Sequence, residues 1–98
     1  MKFLNSPYRL EWDEDKNQQL KKSRGVCFEA VHDLLMQETE VLVMKHHNVK
    51  DYPHQWEMYL DINGYTHCIP FVQKGHVIFL KTIFPSRKMN KLLHGEKT

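Results

Sequence analysis

A chain of 98 residues with 41% apolar and 27% charged side chains has the make-up of one ordinary globular domain, residues 1–98, too small for a second core. The net charge of +2 is too small to argue for nucleic acid by itself, no apolar run reaches bilayer-crossing length, and Met1 to Pro7 lacks the apolar centre of a signal peptide, so no membrane association and a cytoplasmic location are expected. Cys27 and Cys68 form neither a Cys-x-x-Cys pair nor a disulfide framework, and are read as reduced packing residues.

In chain order, a short lead-in strand is expected near Tyr8 to Trp12, then a helix. Asp13 is placed to cap it, Glu14 and Asp15 fill its first turn, Lys21, Lys22 and Arg24 its last, and Gly25 stops it. Phe28, Val31, Leu34 and Leu35 recur at helical spacing and mark a second helix ending near Gln37. From Glu40 the pattern turns to strand. Val41 to Met44 is followed by a polar loop holding His46, His47, Tyr52 and His54. Asn63-Gly64 is the strongest local signal, a two-residue primed turn that sets Leu60 opposite His67, Met58 opposite Ile69 and Trp56 opposite Phe71 on the core face. Tyr59 and Cys68 face each other on the other side. Taking Lys74-Gly75 as a second turn puts Phe71 opposite Ile78 and Lys81 beside Cys68 and Tyr59. A last short helix begins near Pro85 and stops at Gly95. The expected fold is α+β, two N-terminal helices on a four-stranded antiparallel sheet with a short C-terminal helix, all helices on one sheet face.

The basic residues are unevenly spread. Lys81, Arg87, Lys88, Lys91 and Lys97 stand against Glu96 in the last segment, which should give that end a positive field. Lys81, at a strand end, and Arg87, at a strand-to-helix corner, are the leading candidates to neutralise a phosphate, converging on one spot. Lys21 and Arg24 share a helix face and, with Lys88, are candidates for backbone contacts to RNA. Of seven histidines, His47 and His54 in the loop are candidates for acid-base work, with Tyr59 as an alternative. His67 reads as a core residue, His32 as exposed, and His76 and His94 as a turn and a helix end without chemistry. No metal-ligand spacing and no glycine-rich phosphate loop is present, so no metal and no cofactor are expected.

Trp12-Asp13-x-x-Lys16, then Gly25-Val26-x-Phe28-Glu29, then Ser86-Arg87-Lys88 before the last helix, together resemble the BrnT family of small bacterial toxins. Leu20 and Ser23-Arg24 stand where that family has an asparagine and a Lys-His pair. The resemblance implies a RelE-like fold, metal-independent cleavage of messenger RNA that arrests growth, and a cognate ribbon-helix-helix antitoxin through which alone DNA would be contacted. The alternative is a binding module of the same fold that inhibits a protein target, or acts only in an antitoxin complex on DNA.

Overall fold

The computed structural model describes residues 8–37 and 41–95. The Met1 to Pro7 lead-in, Glu40, and Glu96 and Lys97 of the basic end lie outside the described residues. The elements run β1 (Arg9–Trp12), α1 (Glu14–Arg24), α2 (Phe28–Met36), β2 (Leu42–Lys45), β3 (Gln55–Ile62), β4 (Tyr65–Lys74), β5 (Val77–Leu80), β6 (Phe84–Pro85) and α3 (Arg87–His94). The class is α+β, as expected, but the sheet has six strands, in the order β1-β5-β4-β3-β2 with β6 on β4. It is also mixed. The lead-in strand joins β5 in parallel, Leu10 beside Ile78 and Trp12 beside Leu80, because its alternating apolar residues extend the core face while Arg9 and Glu11 stay on the other.

The first helix begins and ends as its sequence dictates. Asp13 Oδ1 accepts the Asp15 and Lys16 amides at 2.8 and 3.3 Å, and Gly25 takes the left-handed turn at φ +68° that a side chain would strain. The start of α2 is different. Cys27 supplies no side-chain cap. Instead Asn17 Oδ1, reaching across from α1, accepts the Phe28 amide at 2.8 Å. Its Nδ2 donates to Glu29 Oε1 at 2.8 Å and more weakly to Glu14 at 3.4 Å, and Trp12 stacks on Phe28 with centroids 5.6 Å apart. Asn17 is fully buried. Asn17, Trp12, Phe28 and Glu29 thus make the joint between the two helices.

The Asn63-Gly64 turn sets the expected register, with Leu60 opposite His67, Met58 opposite Ile69 and Tyr59 opposite Cys68. Positive φ at both positions, +55° and +81°, is the condition that Asn-Gly meets at low cost. The second turn differs from expectation. Lys74 pairs with Val77 and Phe71 with Leu80, so Gly75-His76 is the loop and the register slips by two residues. A two-residue slip keeps every side chain on its face. Ile78 and Leu80 stay in the core, but Lys81 moves down the strand: its amide donates to Pro70 O at 2.8 Å, away from Cys68. Pro70 has no amide to return, the ladder lapses there, and the chain re-enters one residue out of step as β6, with Phe84 opposite Cys68.

Leu20, Phe28, Val31 and Leu35 of the helices close over Met58, Leu60, Ile69, Phe71, Ile78 and Leu80 of the sheet. The helix α3 departs from the expected single helical layer. It lies against the β3–β4 hairpin near its turn and bonds to Asp61 and Thr66, which belong to the opposite face. Among the described residues no helix is long and apolar enough to cross a membrane.

Candidate functional site

The helix α3 starts at Ser86, whose hydroxyl accepts the Met89 amide at 3.3 Å, and is held by three further bonds to one corner of the sheet. The Ser86 amide donates to Thr66 O at 3.0 Å, the Thr66 amide donates to Asn90 Oδ1 at 3.0 Å, and His94 Nε2 lies 3.0 Å from Asp61 Oδ2. Thr66 also donates its hydroxyl to Asp61 Oδ1 at 2.7 Å. This anchoring decides which face of α3 is turned to the sheet. Arg87, Asn90, Lys91 and His94 recur at helical spacing and form one polar stripe, whereas Leu92 and Leu93 stay 64% and 50% exposed.

Two clefts flank this stripe. One, of about 340 Å³, is lined by Tyr65, Arg87, Asn90 and Lys91. The other, of about 280 Å³, has walls of Val41, Leu42, Leu60 and Leu93 and three polar groups, Tyr59, Asp61 and His94. Arg87, Lys88 and Lys91 have no acidic partner among the described residues. The first turn of α3 carries Arg87 and Lys88 and no acid, the reverse of what the helix dipole prefers. Each such cation costs about 0.3 to 1 kcal/mol, and an anion bound there would relieve it. A larger concavity of about 370 Å³ between Glu11, Val72, Lys74, Val77 and Phe79 lies away from these groups and is mostly apolar.

The residues expected to work together are dispersed. Arg87 lines the first cleft, but Lys81 is not among its lining residues. Lys81 sits opposite Pro70 while the start of α3 sits opposite Thr66, and four residues of strand separate these by about 13 Å. Tyr59 lines the second cleft; its hydroxyl donates to Glu57 Oε1 at 2.9 Å. Burial, then that bond and the neighbouring Cys68, push the Tyr59 phenol far above its ordinary range, which keeps it protonated and makes it a hydrogen-bond donor rather than a base. Burial pushes the Cys68 thiol up to about 11, so it is no nucleophile at neutral pH.

His47 and His54 lie at the far end of β3, about 23 Å of strand from the hairpin turn. There His46 stacks on His47 with centroids 4.3 Å apart and lies tilted against Tyr52 at 4.5 Å, and its Nδ1 accepts the Asn48 amide at 3.0 Å. Lys21 lies 3.8 Å from Glu29, and Arg24 Nη1 donates to Ile83 O at 2.8 Å, fastening the end of α1 to the segment that leads into α3. Lys88 is exposed in the first turn of α3. His67 is buried as expected and its Nδ1 donates to Tyr65 O at 2.8 Å. Among the described residues no group of three metal-ligating side chains occurs.

Sequence reasoning missed Tyr65, Asn90, Asp61 and His94. The stripe spacing in α3 was there to be read; the partnership of Asp61 with His94, 33 positions apart, was not. Two measurements check the assignments that remain structural. Arg24→Ala should cost about 1 to 2 kcal/mol in urea unfolding, the worth of a charge-assisted bond at the surface. A loss of RNA affinity with unchanged stability would return Arg24 to the binding surface.

The second concerns pH. Burial would raise the Asp61 carboxyl, but the Thr66 hydroxyl bond and the charges of His94 and His67 outweigh it and hold the group below the ordinary carboxylate range. A carboxylate depressed in the fold adds stability that is fully present above its unfolded titration and lost as pH falls through the folded value. Asp61→Asn should therefore be less stable than the wild type at pH 7, and the gap should close in acid. An equal gap at pH 7 and at pH 2 contradicts the linkage. No family model, curated protein or solved structure matches this chain.

Proposed function

We propose that the chain is a metal-independent endoribonuclease of the toxin kind that its sequence resembles, cleaving messenger RNA in the cytoplasm and restrained by a cognate ribbon-helix-helix antitoxin. One observation carries the reading: Arg87 and Lys91, cations without an acidic partner among the described residues, share a cleft with the aromatic ring of Tyr65 and the amide of Asn90. That combination suits single-stranded RNA, since a guanidinium and an ammonium bind phosphate and a ring stacks on any base. Lys88 sits at the same helix end, whereas Lys81 stands about 13 Å away along the strand and is no part of this cleft.

Cleavage without a metal needs stabilisation of the extra negative charge at phosphorus, a base for the 2′-hydroxyl and an acid for the leaving 5′-oxygen. Arg87 and Lys91 supply the first. The expected result with purified protein and a single-stranded RNA in excess chelator is cleavage to fragments with 2′,3′-cyclic phosphate and 5′-hydroxyl ends. RNA left intact under those conditions rejects the ribonuclease reading. The exposed Leu92, and the exposed Leu93 beside Leu42 in the second cleft, favour a second reading, a binding module whose apolar helix face takes a protein target. Growth arrest with intact transcripts would select it.

A further inference from the structure

We infer that His94 is the proton-transfer group of this site, oriented by Asp61, which is itself fixed by Thr66. The inference rests on the ribonuclease reading and names the residue that reading lacks, because His47 and His54 stand at the other end of the sheet and Tyr59 is a donor. His94 Nε2 is 3.0 Å from Asp61 Oδ2, so the neutral ring carries its proton on Nε2 and offers Nδ1 as acceptor. Asp61 is not free to turn away, since its other oxygen accepts the Thr66 hydroxyl at 2.7 Å and Thr66 is fully buried. A carboxylate held on one ring nitrogen fixes the tautomer and stabilises the imidazolium that forms when the other nitrogen takes a proton.

Position and access agree with this role. His94 is 44% exposed and lines the second cleft, beside Tyr59, across the polar stripe from the cleft of Arg87 and Lys91. It follows Lys91 at i+3, and Lys91 follows Arg87 at i+4, spacings that set side chains about 5 to 6 Å apart at Cβ along one helix face. The phosphate-binding cations and the imidazole therefore form one ladder. Three of the other described histidines are differently committed, and His76 stands in the β4–β5 turn, away from α3. His46 Nδ1 already accepts the Asn48 amide, His67 is buried and bonded to Tyr65 O, and His32 pairs only with the adjacent Asp33 at 3.6 Å, on α2.

The step balances with groups on the helix. His94 Nδ1 takes the proton from the 2′-hydroxyl as the O2′–P bond forms and the P–O5′ bond breaks. Lys91 gives a proton to the departing 5′-oxygen and regains one from solvent, and His94 returns its own to solvent. The charged and titratable groups around the imidazole are Asp61 and Tyr59 from β3, His67 from β4 acting on Asp61, and Lys91 on its own helix.

His94→Gln keeps a donor for Asp61 and so keeps α3 anchored. It should bind a single-stranded RNA as the wild type does in fluorescence anisotropy yet cleave it about 10²-fold more slowly, the low end of what a positioned acid-base group contributes. Asp61→Asn should lose less, with the loss in kcat and KM unchanged, because an amide holds the ring less firmly in its working tautomer. A residue that merely pins the helix would instead raise KM, since α3 carries Arg87 and Lys91. Cleavage at the wild-type rate by His94→Gln, or an unchanged kcat in Asp61→Asn, overturns the inference while the ribonuclease reading stands. A wild-type chain that leaves RNA intact at every pH overturns both.

Discussion

Asn17→Ala is expected to lower the unfolding free energy by about 2 to 4 kcal/mol, from the orphaned Phe28 amide and the lost bond to Glu29 together. The residue is fully buried at the α1–α2 joint, and its removal leaves the Phe28 amide without an acceptor at the start of a helix whose own cap residue offers no side-chain bond. It also frees Glu29, whose carboxyl is held below its ordinary range chiefly by the Asn17 amide. In a domain of this size each kcal/mol moves the melting temperature by about 4 to 8 °C, so calorimetry should show a drop of roughly 8 to 32 °C. Asn17→Asp separates the two bonds. It keeps an acceptor for Phe28 but sets a second carboxylate where the 2.8 Å bond to Glu29 was, so its deficit should be largest at neutral pH and shrink as pH falls toward the carboxylate range. A melting temperature unchanged in both variants would mean that the joint does not hold the helices.

The second large effect is on activity. Arg87→Ala with Lys91→Ala should cut RNA cleavage by about 10²- to 10³-fold, the usual cost of removing electrostatic stabilisation of a developing charge. The fold should not suffer. Both side chains are exposed, neither is among the bonds that anchor α3, which run through Ser86, Asn90 and His94, and removing Arg87 from the positive end of the helix relieves rather than adds strain. Circular dichroism and melting should match the wild type, and full cleavage by the double variant would dismiss the cleft as the site.

These two expectations rest on parts of the molecule that differ in how far the sequence discloses them. Asp13 with Gly25, Ser86 with Gly95, and the Asn63-Gly64 turn act on neighbours within a few residues, so both cap pairs and the register of β3 on β4 follow from local chemistry alone. The second turn is two residues off for a related reason: glycine at 75 serves either Lys74-Gly75 or Gly75-His76, and both place Ile78 and Leu80 in the core, so burial does not choose between them. The parallel placement of β1 on β5 and the lapse of the ladder at Pro70 are tertiary, and with them Lys81 moved away from the corner where Arg87 lies. In the site, Arg87 is where the strand-to-helix corner implies, while Asp61 meets His94 only because a hairpin and a terminal helix fold onto one another. Asn17 carries no local signature at all, since an amide on a helix becomes a cap only when a second helix starts above it.

The claim on which the function turns is that Arg87 and Lys91 touch RNA phosphates, and the salt dependence of binding tests it most directly. Each phosphate neutralised on a single strand contributes about 0.7 to the slope of log affinity against log salt. The expected result is that the Arg87→Ala, Lys91→Ala double variant binds a single-stranded RNA with a slope shallower than the wild type by about 1.4. A slope identical in the two proteins would show that RNA, if bound, is held somewhere other than the cleft beneath α3.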